Sequence, residues 1–294
     1  MVKVQVSVTP NEAKHLIAKA ISRIPAVCSA LENGKILLKG GTTVSAIAEE
    51  LVSLKMRISG RITQQGTKTA SEVVEGFHRL LIEGRQAKAA DSDSFLEETA
   101  FKMGKSDVFI MGANALDVNR RAAIMVAAPL GGPAGRLFPG IMARGVTTII
   151  AVGWEKLIPC RIEDAVAAAG RETIDLAMGA AVGLVPLSGT VVTETDAISI
   201  LAKVKATVIG CGGVTGGEGS TTFAIEGDRS EVKKAWEIVL SVKGAEVSGV
   251  HESLIECHSK SPRCASYVTV GNSRISLHRA CVYRQPALAQ EVFS

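Results

Sequence analysis

The sequence predicts an α/β protein: a largely parallel sheet with flanking helices, followed by a smaller C-terminal α+β domain. Three observations carry this prediction. Short apolar runs of buried-strand type ("KILLK", "VFIM", "VTTIIAVG") alternate with amphipathic segments. Glycine-rich turns follow several of those runs. After about Leu187 the pattern changes to helix, strand, loop, strand and helix, so the division is expected at 1–187 and 188–294.

The elements follow in order. In "TPNEAKHLIAKAISRI", Thr9 is placed as N-cap, Pro10 at the first helical position and Glu12 where a capping box needs its carboxylate. Ala13, Leu16, Ile17, Ala20 and Ile21 recur at helical spacing, and Gly34 ends the segment. "KILLK" reads as a strand, "GGTT" as a turn, and a helix follows from about Val44 to Leu54. Arg57, Arg61 and Lys68 lie in a basic stretch of no clear period, before the strand "FHRLLIEG" and the helix "DSFLEETAFKMG". The run Val108 to Met111 breaks into Gly112-Ala-Asn114. Then come the strand "AAIMVAAP", the glycine-rich loop and short helix of "LGGPAGRLFPGIMARG", the strand "VTTIIAVG" and a helix over "RIEDAVAAAGRETIDLAM". In the second unit a helix capped by Thr193 precedes the strands "ATVIG" and "STTFAIEG", which the loop Gly210 to Gly219 joins. The helix "DRSEVKKAWEIVLSVKG" and a tail of short strands with Cys and His complete the chain.

Composition narrows the function. Of 294 residues, 47% are apolar and 21% charged, an ordinary globular balance. A net charge of +4 without a Lys/Arg run argues against a nucleic-acid partner. No apolar run reaches the roughly 18–20 residues of a membrane helix, and the start lacks the features of a signal peptide, so a cytoplasmic protein without a membrane partner is expected. Six cysteines, unclustered over the first two thirds, fit reduced thiols. No redox cofactor or other cofactor is indicated, and the apolar, strand-rich tail allows a homo-oligomer interface.

Three turns suggest chemistry. Gly40 and Gly41 permit close approach of the backbone to a ligand, and Thr42 and Thr43 set hydroxyls beside the free amides of the next helix. Gly112 and Asn114 form the second turn. Gly131, Gly132 and Arg136 belong to the third, where Arg136 has the fork that phosphate or carboxylate recognition uses. All three follow strands, so they should share the carboxyl-end rim of a parallel sheet and bind a small anionic metabolite there. Asp117 is the candidate acid–base residue, with capping of the next turn as the competing role. The loop Gly210 to Gly219 closes over this rim, binds a ligand of its own or is a mobile hairpin tip. His251, Cys257, His258, Cys264, His278 and Cys281 offer zinc-type ligands in no standard spacing, so no metal site is assigned.

"LLKGGTTVSAIAEEL" resembles the first phosphate-binding turn of the superfamily that contains ribose-5-phosphate isomerase, glucosamine-6-phosphate deaminase, DeoR-type sugar-phosphate sensors and CoA transferases. "DVFIMGANALD" resembles a later turn of that group, with Gly112, Asn114 and Asp117 on its positions and Asn114 in place of the usual acidic residue. "GVTTIIAVGWEKLIPCRIEDA" is similar to the closing strand and helix of the lactate-utilisation branch. The resemblance covers roughly Lys35 to Ala165. It implies a phosphorylated or CoA-like ligand and, if catalytic, proton shuttling on a sugar phosphate, with Asp117 as base and Thr42, Thr43 and Arg136 holding the anion. The lysine loop of the isomerases and the Asp–His–Glu arrangement of the deaminases are missing. The transferase nucleophile has no secure counterpart, although Glu155 follows a strand. A sensor or assembly protein that kept the pocket without the chemistry is therefore the second reading, and a metal-dependent role of the Cys/His tail the third.

Overall fold

The computed structural model describes residues 1–69, 76–254, 267–270, 273–276 and 279–294. The chain begins with β1 (Val2–Val8), α1 (Pro10–Ile21), α2 (Pro25–Asn33), β2 (Lys35–Lys39) and α3 (Thr42–Val52). A hairpin of β3 (Gly60–Thr63) and β4 (Gly66–Thr69) follows, then β5 (Arg79–Glu83), β6 (Gln86–Ala89) and α4 (Asp93–Lys102). Next are β7 (Val108–Gly112), β8 (Ala115–Leu116), β9 (Ala122–Val126), α5 (Gly132–Ala143), β10 (Thr147–Ala151) and α6 (Ile162–Ala168). β11 (Gly183–Leu187), β12 (Thr190–Val192), α7 (Glu194–Leu201), β13 (Lys205–Gly212), β14 (Ser220–Gly227) and α8 (Arg229–Leu240) continue the chain. It ends with α9 (His251–Leu254), β15 (Tyr267–Val270), β16 (Ser273–Ser276) and α10 (Leu288–Phe293).

The main sheet is mixed. Its order is β12-β10-β7-β2-β5-β6. β12, β10, β7 and β2 are parallel, whereas β5 and β6 are added antiparallel. Ile36, Leu37 and Leu38 of β2 are all fully buried, so both faces of this strand are covered, which explains its unbroken apolar run. One face, with Ile36 and Leu38, packs into a core with α1, α3 and α7; the other, with Leu37 and Phe109, packs against α4 and α5.

Several expectations change. The apolar run of β9 does not join the parallel sheet; it pairs antiparallel with β8 and β11 in a separate three-stranded sheet. The helix expected across "RIEDAVAAAGRETIDLAM" stops at Ala168, ahead of Gly170. The segment from Thr9 to Gly34 is two helices, with Pro25 opening the second because proline cannot donate within a helix. The basic stretch around Arg61 is a hairpin. A boundary at 187 would cut across both larger sheets. β12 lies in the main sheet, and β1, at the other end of the chain, pairs with β14 in the sheet β1-β14-β13.

The start of α1 ties these parts together. Thr9 and Glu12 form the capping box, each side chain accepting the other's backbone N–H. Glu12 also accepts from Lys243 Nζ at 2.7 Å and from the Gly244 N–H at 2.9 Å, beyond the end of α8. Burial opposes its ionisation, but the bonds from Lys243, Gly244 and Thr9 and the Lys243 charge outweigh it, so its pKa lies below the ordinary glutamate value. Its contribution is therefore present above the unfolded-state pKa and is lost as pH falls through the lower folded value. Glu12→Ala leaves three donors without this acceptor and should cost about 2–3 kcal/mol in urea unfolding, with the difference from the parent chain shrinking in acid.

Candidate functional site

β2 and β7 are adjacent and parallel, so the turns that leave their carboxyl ends emerge side by side. After β2 comes Gly40-Gly41, and after β7 comes Gly112-Ala-Asn114. The chain leaving β9 passes through Gly131 and Gly132 into α5. All six of these sequence-predicted residues (Gly40, Gly41, Gly112, Asn114, Gly131 and Gly132) line one cavity of about 290 Å³. Each glycine that needs its conformation has a local reason. A Cβ at Gly40 would lie 2.4 Å from the His78 carbonyl oxygen, and Gly132 has φ 56° with ψ −149°, a region open to glycine alone.

Two helices begin at this cavity. Gly41 is the N-cap of α3 and Gly131 the N-cap of α5, and neither helix has a side-chain cap. The first-turn N–H groups of α3 are thus left to whatever occupies the cavity, whereas in α5 Gly132 donates to the Pro129 carbonyl and Pro133 has no N–H. Thr42 and Thr43 form the first turn of α3 and are partly exposed, one step beyond the lining residue Gly41. The Asn114 carbonyl oxygen accepts the Met125 N–H at 3.0 Å, which orients the amide and leaves its nitrogen for the cavity side.

The side chains that charge the cavity come from strand ends and from the hairpin. Lys39 terminates β2, and Arg61 and Lys68 come from β3 and β4; all three line the cavity. Lys39 lies opposite Arg79 in the β2–β5 register, and Arg61 lies opposite Lys68 in the β3–β4 register. Like charges directly opposite each other destabilise a sheet. Arg79 is neutralised by Asp91, 3.6 Å away. Among the described residues no carboxylate lines the cavity. Burial first, and then the Arg79 charge, lower the Lys39 pKa to about 8.

His78 immediately precedes β5 and also lines the cavity. Its Nδ1 lies 3.0 Å from the Arg57 carbonyl oxygen. A carbonyl only accepts, so Nδ1 carries the hydrogen and Nε2 is the acceptor. Burial first, and then the Arg57 guanidinium, push its pKa down to about 4, so the ring is neutral at pH 7. The hairpin that brings Arg61 and Lys68 is pinned in place. Thr67 donates its N–H to Met178 at 3.1 Å, and its carbonyl accepts from the Ala180 N–H at 2.8 Å. Gly66 and Gly179 leave no room for a Cβ at this contact.

Three expectations are corrected. Asp117 does not reach the cavity. It is 1% exposed; one carboxylate oxygen accepts the Asn119 and Arg121 N–H groups, and the other accepts the Ile162 N–H. Burial works against its ionisation, but the donors Arg121, Ile162 and Asn119 and the Arg121 charge hold its pKa below the usual aspartate value. It caps a turn and anchors α6, so it is not placed to move a proton on a ligand. Arg136 is exposed, lies outside the cavity lining and pairs with Glu97 of α4 at 3.7 Å. It sits one turn into α5, and the helix turns it toward α4. The loop Gly210 to Gly219 does not cover this cavity: a Cβ at Gly219 would lie 3.0 Å from Pro10 and 3.9 Å from Glu155.

At the other end of the rim, Glu155 and Glu194 follow β10 and β12. Glu194 is 1% exposed and accepts the Trp154 N–H at 3.0 Å. Burial, then the neighbouring Glu155 charge, raise its pKa to about 8. In the tail, Cys257, His258, Cys264 and His278 lie outside the described residues, while His251 is exposed and Cys281 buried. Among the described residues no group of three or more His, Cys, Asp and Glu side chains could hold a metal, and no helix is long and apolar enough to cross a membrane.

Lys39 and His78 were not picked out from the sequence. The available signal was a polar residue closing each side of an apolar pair of strands, which becomes meaningful only once β2 and β5 are known to pair.

Asp117→Ala should lower stability by about 1–3 kcal/mol, because buried N–H groups lose their acceptor, and should leave the residues lining the cavity in place. Chemical unfolding of the variant measures the loss.

No family model, no curated protein and no solved structure matches this chain.

Proposed function

We propose that the cavity at the ends of β2 and β7 binds a small metabolite bearing a phosphate or carboxylate group. One observation carries this reading: Lys39, Arg61 and Lys68 line the cavity, no described carboxylate does, and two uncapped helices begin there. The anion would lie beside Arg61 and Lys68, which face each other across β3 and β4. The amides at the start of α3 would supply donors that need no rearrangement. The apolar remainder of the wall, including Ile124, Val126 and Val182, suits a ligand body of low polarity and weakens the screening of charge. A phosphorylated ligand is also what the resemblance of the "GGTT" and "GAN" turns implies. Proton shuttling by Asp117 is not part of this reading, because its carboxylate is already occupied by three N–H groups.

Thermal unfolding with inorganic phosphate, sugar phosphates, CoA esters and simple carboxylates tests the proposal. A ligand at about a hundred times its Kd adds roughly 2.7 kcal/mol. Lys39→Met and Arg61→Ala should each weaken the best anion about tenfold or more, equivalent to about 1.4 kcal/mol. If no anion shifts the midpoint, or if the shift survives in the double variant, the proposal fails.

The pH dependence has a defined sign. Lys39 is charged below about 8 and neutral above it. A phosphate monoester is already largely dianionic in that range, so its affinity should fall as pH rises through about 8. Calorimetry at pH 7 and pH 9 reads the difference, and equal affinities would remove Lys39 from the binding set.

A further inference from the structure

Lys39 is unusual for a lysine. It closes a strand whose preceding three residues are fully buried, and it lines the cavity rather than the outer surface. Among the described residues its ammonium makes no hydrogen bond or ion pair. The Arg79 guanidinium faces it from β5, the neutral His78 precedes that strand, and Arg61 and Lys68 share the cavity from the hairpin. Every charged group facing it among the described lining residues is thus a cation. Nothing structural accounts for an unpaired lysine at this position: its long stem and strongly hydrated head cost more to enclose than an apolar side chain would.

We propose that Lys39 is a nucleophilic amine that forms a Schiff base with the carbonyl group of an aldehyde or ketone carrying a phosphate or carboxylate. This rests on the anion-binding reading of the same cavity and adds the reacting group of the ligand. The neutral amine attacks the carbonyl carbon, the C–N bond forms, and the carbonyl π pair moves to oxygen, which takes up a proton to give a carbinolamine. Loss of the hydroxyl as water leaves the imine, so amine plus carbonyl compound gives imine plus one water. No oxidant, reductant or metal is required. Burial first, and then the Arg79 guanidinium, disfavour the ammonium form, the device by which lysines are activated for this chemistry. The unprotonated Nε2 of His78 can accept the proton that the attacking nitrogen releases. The anionic group of the ligand would rest on the α3 N-terminus and beside the hairpin cations.

Reductive trapping tests the proposal on the full chain. The protein is incubated with cyanoborohydride and either glyceraldehyde 3-phosphate or glyceraldehyde, and the modified lysines are located by peptide mass mapping. Lys39 should be trapped first, with the phosphorylated aldehyde ahead. With a pKa near 8, about a tenth of Lys39 is neutral at pH 7, so its trapping should exceed that of exposed lysines by about tenfold or more. Competitive acetylation of the unmodified protein, needing no variant, should give Lys39 a midpoint near 8 against about 10.4 for surface lysines. Lys39→Arg keeps a positive charge and lacks the amine, so no adduct should form at position 39.

Adducts spread over surface lysines without preference for Lys39 overturn the inference. If phosphate stabilises the protein while Lys39 stays unmodified, only the Schiff base falls. If Lys39 is trapped equally by both aldehydes and phosphate gives no stabilisation, the amine stands and the anion site falls.

Discussion

Gly40 donates its backbone N–H to the His78 carbonyl at 2.9 Å, and no side chain fits at this contact, since a Cβ there would lie 2.4 Å from the oxygen. Much of the site follows from this approach. It holds the carboxyl end of β2 level with the start of β5, so that Lys39 and His78 arrive together. It also lets the chain swing out at Gly41, with φ 152°, and begin α3 with its first N–H groups uncovered. A larger residue at position 40 would push the strands apart at the one corner where a lysine, a neutral imidazole and a helix N-terminus meet.

Charge is sorted along the rim. At the β2 end Lys39, Arg61 and Lys68 gather without a described carboxylate; at the β10–β12 end Glu155 and Glu194 lie close, and Glu194 keeps its proton near neutral pH. Neither arrangement is what stability alone would select. Cross-strand cations repel, and buried acids must stay protonated or find donors. The cationic end is open to a ligand and the acidic end is closed, which is why the first is read as a binding site and the second as a structural cluster. Asp117 shows the contrast within one turn: its carboxylate is as buried as that of Glu194, but three N–H groups satisfy it and keep it ionised.

The sequence carried the elements further than their assembly. The capping box at Thr9 and Glu12, the strand at "KILLK" and the glycine turns themselves were readable because each depends on local spacing. The antiparallel addition of β5 and β6, the separate sheet of β9 and the pairing of β1 with β14 were not, because an apolar run does not state its partner. Val2, Val4, Val6 and Val8 do alternate in the strand period, a signal passed over beside the strong helix start. The site followed the same rule. Glycines announce turns, whereas the cation pairs Lys39–Arg79 and Arg61–Lys68 exist only through register. Arg136 and Asp117 had suitable chemistry but were turned elsewhere by a helix and by a cap.

The β1–β14 pairing has a consequence for the order in which the molecule is made. Val2 lies opposite Gly227 and Val8 opposite Thr221, so β1 has no partner until residues more than 200 positions further along have been synthesised. At about 5–20 residues per second that is a wait of roughly 10–45 s. Throughout it Val6 and Val8, which end fully covered, lie on an unpaired edge of the kind that recruits other chains. Closure of the small sheet is therefore a long-range event, and until it happens Val2–Val8 is a segment through which the nascent protein can misassemble.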